Sequence, residues 1–206
     1  MNECLANIFR TENEVTLLRA DDKGVHGLTD EILNGTQVLV WWGHWYHHTV
    51  DLELVEKIAL RVQCGMGMIF LHSAHDSRPF KRLLGSSCSL VWREDGEFER
   101  LWCVDPTHPI ARGLETIDIP QEEMYGEPFD IPTPDELVYI GWFEGGEVFR
   151  GGGKLFYFNP GHETYPTYHL PDVQRVLRQA CAYVAPQNGI LEGIRCPNRE
   201  KFSFQK

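Results

Sequence analysis

The stretch MGMIFLHSAH, residues 66–75, decides the fold class. Its first six residues form an apolar run of strand length, and polar residues with two histidines follow at once. A strand that is apolar on both faces is typical of a parallel sheet covered by helices on both sides. The stretch therefore predicts a buried parallel strand whose carboxyl end carries chemically active side chains.

The rest of the chain alternates between strand-like and helix-like segments. Helical periodicity covers residues 50–64 and a segment from Pro171 to Pro186, and four more apolar runs predict strands at residues 14–20, 36–42, 137–143 and 154–158. Such alternation predicts a three-layer α/β fold with a mostly parallel sheet. Residues 89–134 contain short strand-like runs joined by turns, which we interpret as an irregular insertion or an antiparallel edge. We expect one domain over residues 1–186 and a surface tail over residues 187–206.

Composition excludes several classes of protein. The 206 residues carry a net charge of −11, so no basic stripe is available for nucleic acid or an anionic membrane. No apolar stretch approaches the roughly 20 residues that span a bilayer, and the first residues lack a signal-peptide pattern. The six cysteines are scattered without zinc-knuckle spacing. We expect a cytoplasmic protein that binds neither nucleic acid nor a membrane.

Histidines follow three of the predicted strands. His44 and His47 follow the strand at residues 36–42, His72 and His75 follow the strand at residues 66–71, and His162 with Glu163 follows the last strand. The carboxyl ends of parallel strands meet at one edge of a sheet, and imidazole with carboxylate is a common donor set for Zn²⁺ or a similar divalent ion. Taken singly, each histidine is more often a hydrogen-bonded residue at the end of a strand.

Three other segments allow competing interpretations. Ser73 at the turn after residue 71 suggests a serine nucleophile with His162 as its base, but the glycines of a nucleophile elbow are missing, and a helix cap is the simpler interpretation. Residues 120–132 combine acidic and aromatic side chains, which suit sugar hydroxyls and rings or form a solvated acidic turn. Residues 142–154 are rich in glycine but match no phosphate-binding loop, so we expect a hairpin-like connection and no nucleotide.

Several segments together resemble the ThuA-like family, named for trehalose utilisation. They are HGLTDEIL, VLVWWGH, GMGMIFLHSAH, WREDGEFERLW, QEEMYGEPFDIP, WFEGGEVFR and FYFNPGHETYPTYHLPDV, in that order along the chain. The resemblance implies a class I glutamine amidotransferase-like, flavodoxin-related fold. It places histidines of the family pattern at positions 44, 47, 72, 75 and 162. The cysteine of the related amidotransferases is absent from LHSAH, so glutaminase chemistry is not expected.

The resemblance also implies a first strand, at the centre of the sheet, that this chain lacks. The connection RGGGK in this chain is also shorter than the corresponding connection in the family. The family is associated with disaccharide catabolism, in which a partner dehydrogenase makes 3-keto sugars.

The leading prediction is a metal-assisted enzyme acting on a disaccharide or its 3-keto derivative by isomerisation, elimination or hydrolysis. The metal ligands would be His44, His72 and His162, with His47 and His75 as alternates. Glu123, Glu163 and His162 would transfer protons, and the sugar pocket would include Trp42, Tyr125, Glu127, Tyr165 and Tyr168. The alternative is a non-catalytic carbohydrate-binding or regulatory module on the same scaffold. Homo-oligomerisation is left open.

Overall fold

A computed structural model describes residues 1–21, 23–146, 148–151 and 155–193. Its central element is β2 (Gly67–Leu71), in which all five residues are buried. β2 lies between β1 (Val38–Trp41) and β7 (Leu155–Phe158), and both neighbours run parallel to it. The sequence-based prediction of a buried parallel strand at this position is therefore confirmed.

Helices cover both faces of this parallel sheet. On one face, α1 (Asn2–Arg10) and α5 (Pro171–Val184) pack with Ile69 and Leu71 of β2 in one apolar cluster. On the other face, α2 (Asp30–Gly35), α3 (Leu52–Gln63) and α4 (Arg78–Leu84) pack with Met68 and Phe70 in a second cluster. Successive side chains of a strand point to opposite faces, so β2 contributes to both clusters. The three layers confirm the predicted α/β class.

A second sheet is formed by the middle of the chain. It contains β3 (Val91–Cys103), β4 (Thr116–Gly126), β5 (Tyr139–Phe143) and β6 (Val148–Gly151), all antiparallel, in the order β4-β3-β5-β6. The antiparallel interpretation of residues 89–134 is thus correct, but the region is regular. The solvated-turn interpretation of residues 120–132 is wrong, because residues 120–126 belong to β4 and Glu122 has no exposed surface.

The predicted strand at residues 14–20 does not form. The segment has no regular secondary structure, and no backbone hydrogen bond joins it to another described residue. It forms one wall of a groove of about 870 Å³ whose opposite wall is β1. Within the described chain, β1 pairs only with β2, so its outer edge faces this groove. The family resemblance implied a strand missing from the centre of the sheet, and among the described residues no strand pairs with this edge of β1.

Part of the predicted carboxyl-terminal tail is described. The Leu191 N–H donates to the Cys64 carbonyl at 2.9 Å, and Ile190 packs against the second cluster. Residues 194–206 lie outside the described residues, as do residues 147 and 152–154 of the glycine-rich connection. The rest of that connection joins β5 to β6 as an antiparallel hairpin, as expected.

Candidate metal centre

Three histidines meet at the carboxyl edge of the parallel sheet. His44 lies in the loop after β1, His72 follows β2 directly, and His162 lies in the loop after β7. The ring centroids are 4.9 Å apart for His44 and His72, 4.7 Å for His44 and His162, and 5.5 Å for His72 and His162. The parallel order of the strands explains this convergence, because their carboxyl ends share one edge.

A carboxylate from the antiparallel sheet completes the group. Glu123 lies in β4, and one donor atom from each of Glu123, His44, His72 and His162 lies within 4.8 Å of the others. Glu123 and two of the histidines are buried, while His44 is half-buried. Imidazole and carboxylate donors in this number suit Zn²⁺ and other first-row divalent ions. The two sheets together therefore form a site with the composition of a metal centre.

The position of His72 is fixed by its backbone conformation and by contacts with four other residues. Its backbone φ of +52° lies in the left-handed region, which costs about 1–3 kcal/mol for a residue other than glycine. The Asn159 carbonyl lies 2.8 Å from Nδ1, and the Tyr157 hydroxyl donates to the His72 carbonyl at 2.9 Å. A carbonyl only accepts, so Nδ1 carries the proton of the neutral ring and Nε2 keeps its lone pair. Nε2 lies 2.9 Å from Oε2 of Glu123, and the Tyr125 ring stacks on the imidazole at 4.7 Å.

His44 presents a free nitrogen to the same group. Its Nδ1 lies 3.1 Å from Oε2 of Glu163, while Nε2 is buried without a hydrogen-bond partner among the described residues. Burial, followed by the nearby His72, lowers the pKa of His44 to about 4. The imidazole is therefore neutral at pH 7, and a carboxylate on one ring nitrogen with a lone pair on the other is the usual arrangement of a metal-binding histidine.

His162 has the opposite hydrogen-bond pattern. The Thr164 N–H donates to its Nδ1 at 3.1 Å, so the neutral ring carries its proton on Nε2. That nitrogen lies 3.7 Å from Oε1 of Glu94, and the Tyr165 ring lies 5.6 Å from the imidazole. In this arrangement His162 is better placed to donate a proton than to coordinate a cation. Its contacts therefore favour the predicted role in proton transfer over the predicted role as a metal ligand.

The carboxylate of Glu123 is surrounded by imidazoles. Burial alone raises its pKa, but His72, followed by His162 and His44, outweighs burial and lowers the pKa below its usual value. Oε2 lies 2.9 Å from Nε2 of His72, and this contact contributes most to the lowering. A buried carboxylate and the unpartnered Nε2 of the neutral His44 together fit a divalent cation.

Glu99 and Glu122 carry two further buried carboxyl groups near this group of donors. Burial raises the pKa of Glu99 well above its usual value, and the neighbouring Glu122 adds to this. Burial also raises the pKa of Glu122, but His72 and hydrogen-bond donors such as Thr167 oppose the shift. Since Glu122 has the larger number of donors, we assign the negative charge to Glu122 and the proton to Glu99.

Several predicted residues lie outside the group of four. His75 Nδ1 faces the Cys88 carbonyl at 2.8 Å, and both ring nitrogens of His47 are buried without a hydrogen-bond partner among the described residues. Burial lowers the pKa of both histidines. Glu163, predicted to transfer protons, contacts His44 from a more exposed position. The Ser73 hydroxyl donates to the Gly43 carbonyl at 2.6 Å, so its recorded partner is not His162.

The predicted sugar-binding residues differ in their positions. Tyr165 is partly exposed beside His162, whereas Trp42 stacks behind His44 at 6.0 Å and donates to the Gly161 carbonyl. Tyr168 has no exposed surface, and its hydroxyl donates to the Pro160 carbonyl at 3.3 Å. Tyr125 is buried against His72, and Glu127 accepts from the Phe129 N–H at 2.8 Å. Tyr168 and Glu127 therefore support loops.

Sequence reasoning missed Glu94, Asn159 and Trp92. Trp92 is paired with Tyr125 across β3 and β4, so both side chains lie on one face of the strand pair, and Trp92 is 65% exposed. The alternation of side chains along a strand could have indicated that Trp92 and Glu94 share a face. The pairing with β4, which brings that face to the histidines, has no local signal in the sequence.

The sequence model of the ThuA family, described as trehalose utilisation, matches residues 2–184. The chain belongs to the ThuA family. Among solved structures it is similar to a ThuA-like protein from Bacteroides uniformis ATCC 8492, with 15% identity and a TM-score of 0.68 over 91% of this chain and 86% of that one. A ThuA-like protein from Parabacteroides merdae ATCC 43184 gives 15% identity and a TM-score of 0.64 over 93% and 86%.

These structural similarities support the fold. No curated protein matches the chain. In the part of this ThuA-family chain that the structure describes, no helix has both the length and the apolar character needed to cross a bilayer.

Proposed function

We propose that this protein is a divalent-metal-dependent enzyme of disaccharide catabolism, acting on a disaccharide or its 3-keto derivative. The observation that carries the proposal is the convergence of His44, His72, His162 and Glu123 within 4.8 Å. Perturbed titratable groups that meet at the carboxyl edge of a parallel sheet are typical of catalytic sites. The ThuA family's description as trehalose utilisation supports a sugar substrate.

His44, His72 and Glu123 are the residues that would hold the ion. His44 and His72 each turn Nδ1 to a carboxylate or carbonyl. Nε2 of His44 has no hydrogen-bond partner among the described residues, and Nε2 of His72 faces Glu123 Oε2 at 2.9 Å and the Tyr125 hydroxyl at 3.3 Å. A divalent ion held there supplies a Lewis acid that polarises a ketone or hydroxyl oxygen of the sugar. Glu163 orients His44, and the Asn159 carbonyl orients His72.

His162 is the proposed proton carrier. The Thr164 N–H fixes its Nδ1 as an acceptor, so the exchangeable proton of the neutral ring is on Nε2. Glu94 Oε1 lies 3.7 Å from that nitrogen and is the nearest recipient of its proton among the contacts of His162. A histidine in this setting donates its Nε2 proton to a leaving or neighbouring sugar oxygen and regains a proton from water afterwards.

Exposed aromatic side chains border the site. Trp45 follows His44 and is 77% exposed, Trp92 is 65% exposed on the face shared with Tyr125, and Tyr165 lies beside His162. Aromatic faces pack against the apolar side of a pyranose ring, which makes a disaccharide a suitable substrate. We further propose a cytoplasmic location and a functional link to a sugar dehydrogenase. We propose neither nucleic-acid nor membrane binding, and we leave homo-oligomerisation to be tested.

The test first measures the metal content of the purified protein. It then measures turnover of trehalose and of 3-keto-trehalose by NMR, with and without chelator. We expect a stoichiometric divalent metal, chelator-sensitive turnover, and a product that distinguishes isomerisation, elimination and hydrolysis. His72→Gln should lose the metal, while His162→Gln should keep it and lose turnover by about 10²–10⁴-fold. His169→Gln, an exposed histidine outside the group, is the control that retains both.

The same assay tests the alternative. A metal-free protein that binds trehalose without turnover would favour a non-catalytic carbohydrate-binding module. Turnover that persists in chelator and in His72→Gln would reject the metal-dependent enzyme.

A further inference from the structure

We propose that Glu122 is a positioning residue that sets the distance between His162 and Glu123. Its relevance to metal binding rests on the proposed function, but the positioning itself rests on the contacts of one buried carboxylate. Glu122 lies in β4 beside Glu123 and has no exposed surface.

Each oxygen of Glu122 accepts two hydrogen bonds. Oε1 accepts from the N–H groups of Glu123 at 2.9 Å and of His162 at 3.1 Å. Oε2 accepts from the Gly161 N–H at 2.7 Å and from the Thr167 hydroxyl at 2.6 Å. Four donors fill the acceptor sites that an ionised carboxylate offers. Oε1 therefore joins the backbones of two members of the proposed metal centre through one atom.

The second oxygen holds the loop that carries His162. Gly161 and Thr167 lie on either side of His162 in sequence, so their bonds to Oε2 draw both sides of this loop towards β4. Hydrogen bonds to a buried charged group are about twice as strong as neutral ones. The carboxylate thus links the loop after β7 to the antiparallel sheet.

Glutamine cannot replace these contacts. Its side chain has nearly the same shape, but one of its two terminal atoms is an NH₂ group, which donates. In either orientation this group would face two of the four donors, and two buried donors would lose their acceptor. Glu122→Gln should therefore release either the pair at Oε1 or the pair at Oε2 without changing the volume of the core.

Glu99 provides a matched control. It is also a fully buried glutamate of the antiparallel sheet, but Oε1 has only Asn159 Nδ2 at 3.5 Å, and Oε2 has no hydrogen-bond partner in the described residues. It makes no recorded contact with the N–H groups of Gly161 and His162. Glu99→Gln removes a buried carboxyl group of the same size and should leave the geometry of His162 unchanged.

The first measurement uses metal-free protein. Amide hydrogen exchange followed by NMR should show faster exchange at Gly161 and His162 in Glu122→Gln than in wild type, while exchange in β2 stays unchanged. Glu99→Gln should retain wild-type exchange at both amides. Thr167→Val removes one donor and keeps the carboxylate, so it should accelerate exchange less than Glu122→Gln does.

The second measurement is titration with Co²⁺ and Zn²⁺. We expect Glu122→Gln to weaken affinity by about 10–100-fold, the range found when groups supporting metal ligands are lost, and to change the visible spectrum of bound Co²⁺. Glu99→Gln should match the wild type in both readouts. A global loss of stability in folded protein would not by itself change the ligand field of the bound ion.

The two proposals fail differently. If wild type binds neither metal, the proposed function is rejected, and amide exchange still decides the role of Glu122. Equal exchange at Gly161 and His162 in folded Glu122→Gln and Glu99→Gln would overturn the positioning role. If Glu122→Gln does not fold, Thr167→Val decides: local acceleration at these two amides supports the role, and unchanged exchange overturns it.

Discussion

Gly161→Ala should destabilise the protein far more than Gly85→Ala, although both glycines have a positive φ. Gly161 precedes His162, and its φ of +134° is a backbone conformation that L side chains rarely adopt. A Cβ added there would lie 2.0 Å from the Tyr168 hydroxyl oxygen and 2.2 Å from the adjacent ring carbon. Tyr168 is fully buried, so it cannot move towards solvent.

The expected loss combines two costs. Backbone strain contributes about 1–3 kcal/mol, and overpacking a buried site contributes about 1–3 kcal/mol. The smaller entropy of the unfolded chain offsets about 0.4–1 kcal/mol. The free energy of unfolding should therefore fall by about 1–6 kcal/mol, against the roughly 5–15 kcal/mol that stabilises most domains.

Gly85→Ala is the matched control. Gly85 ends α4 with a φ of +70°, and no atom lies within 4 Å of the Cβ that the substitution adds. The strain of the left-handed conformation alone should lower the free energy of unfolding of Gly85→Ala, by about 1–2 kcal/mol before the same entropic offset. Urea unfolding of both variants measures the difference, provided that the slope with denaturant is unchanged. Equal losses would show that Tyr168 adapts to the added methyl group, and would refute this account of the loop.

Three further predictions concern pH, substrate binding and the core. Because the pKa of His44 falls from 6.5 to about 4 on folding, the unfolded state binds more protons between these values, so the stability of metal-free protein should decrease as pH falls from 6.5 to 4. His44→Gln should show a shallower decrease in urea unfolding, and an unchanged slope would contradict the assignment. Trp92→Ala should raise KM for the sugar about tenfold, equivalent to about 1.4 kcal/mol, and leave metal affinity unchanged. Trp102→Ala, at another exposed tryptophan of the antiparallel sheet, should leave KM unchanged. Equal effects on KM would show that Trp92 does not belong to the substrate site. Leu71→Ala should cost about 2–5 kcal/mol in thermal or urea unfolding, and a loss under 1 kcal/mol would mean that the core around β2 repacks.

The parallel sheet was predictable because its signal is local. An apolar run such as residues 66–71 can be buried on both faces only in a covered sheet, and β2 is buried throughout. The meeting of His44, His72 and His162 then follows from topology, since each lies after the carboxyl end of a parallel strand. No knowledge of side-chain packing was needed for that step.

The place of Glu123 could not be predicted in the same way. It reaches the histidines through β4, whose pairing with β3 changes register between Arg93 and Glu99. Such irregularities redirect side chains without a clear local sequence pattern. The strand predicted at residues 14–20 failed for a related reason, because apolar composition favours a strand but a strand also needs a neighbour for its backbone groups. Both errors concern long-range pairing.

The charges at the centre favour a bound cation over a self-contained hydrogen-bond network. Glu122 is buried as an ion with four donors, so its charge is compensated by contacts within the chain. Glu123 is different: its pKa is lowered mainly by His72, whose Nε2 lies 2.9 Å from Oε2, and His44 beside it is neutral at pH 7. Adding a positive charge through His44 would require a pH near 4. Under the proposed function, a divalent ion held by Glu123, His44 and His72 would supply positive charge at pH 7 without a proton on His44.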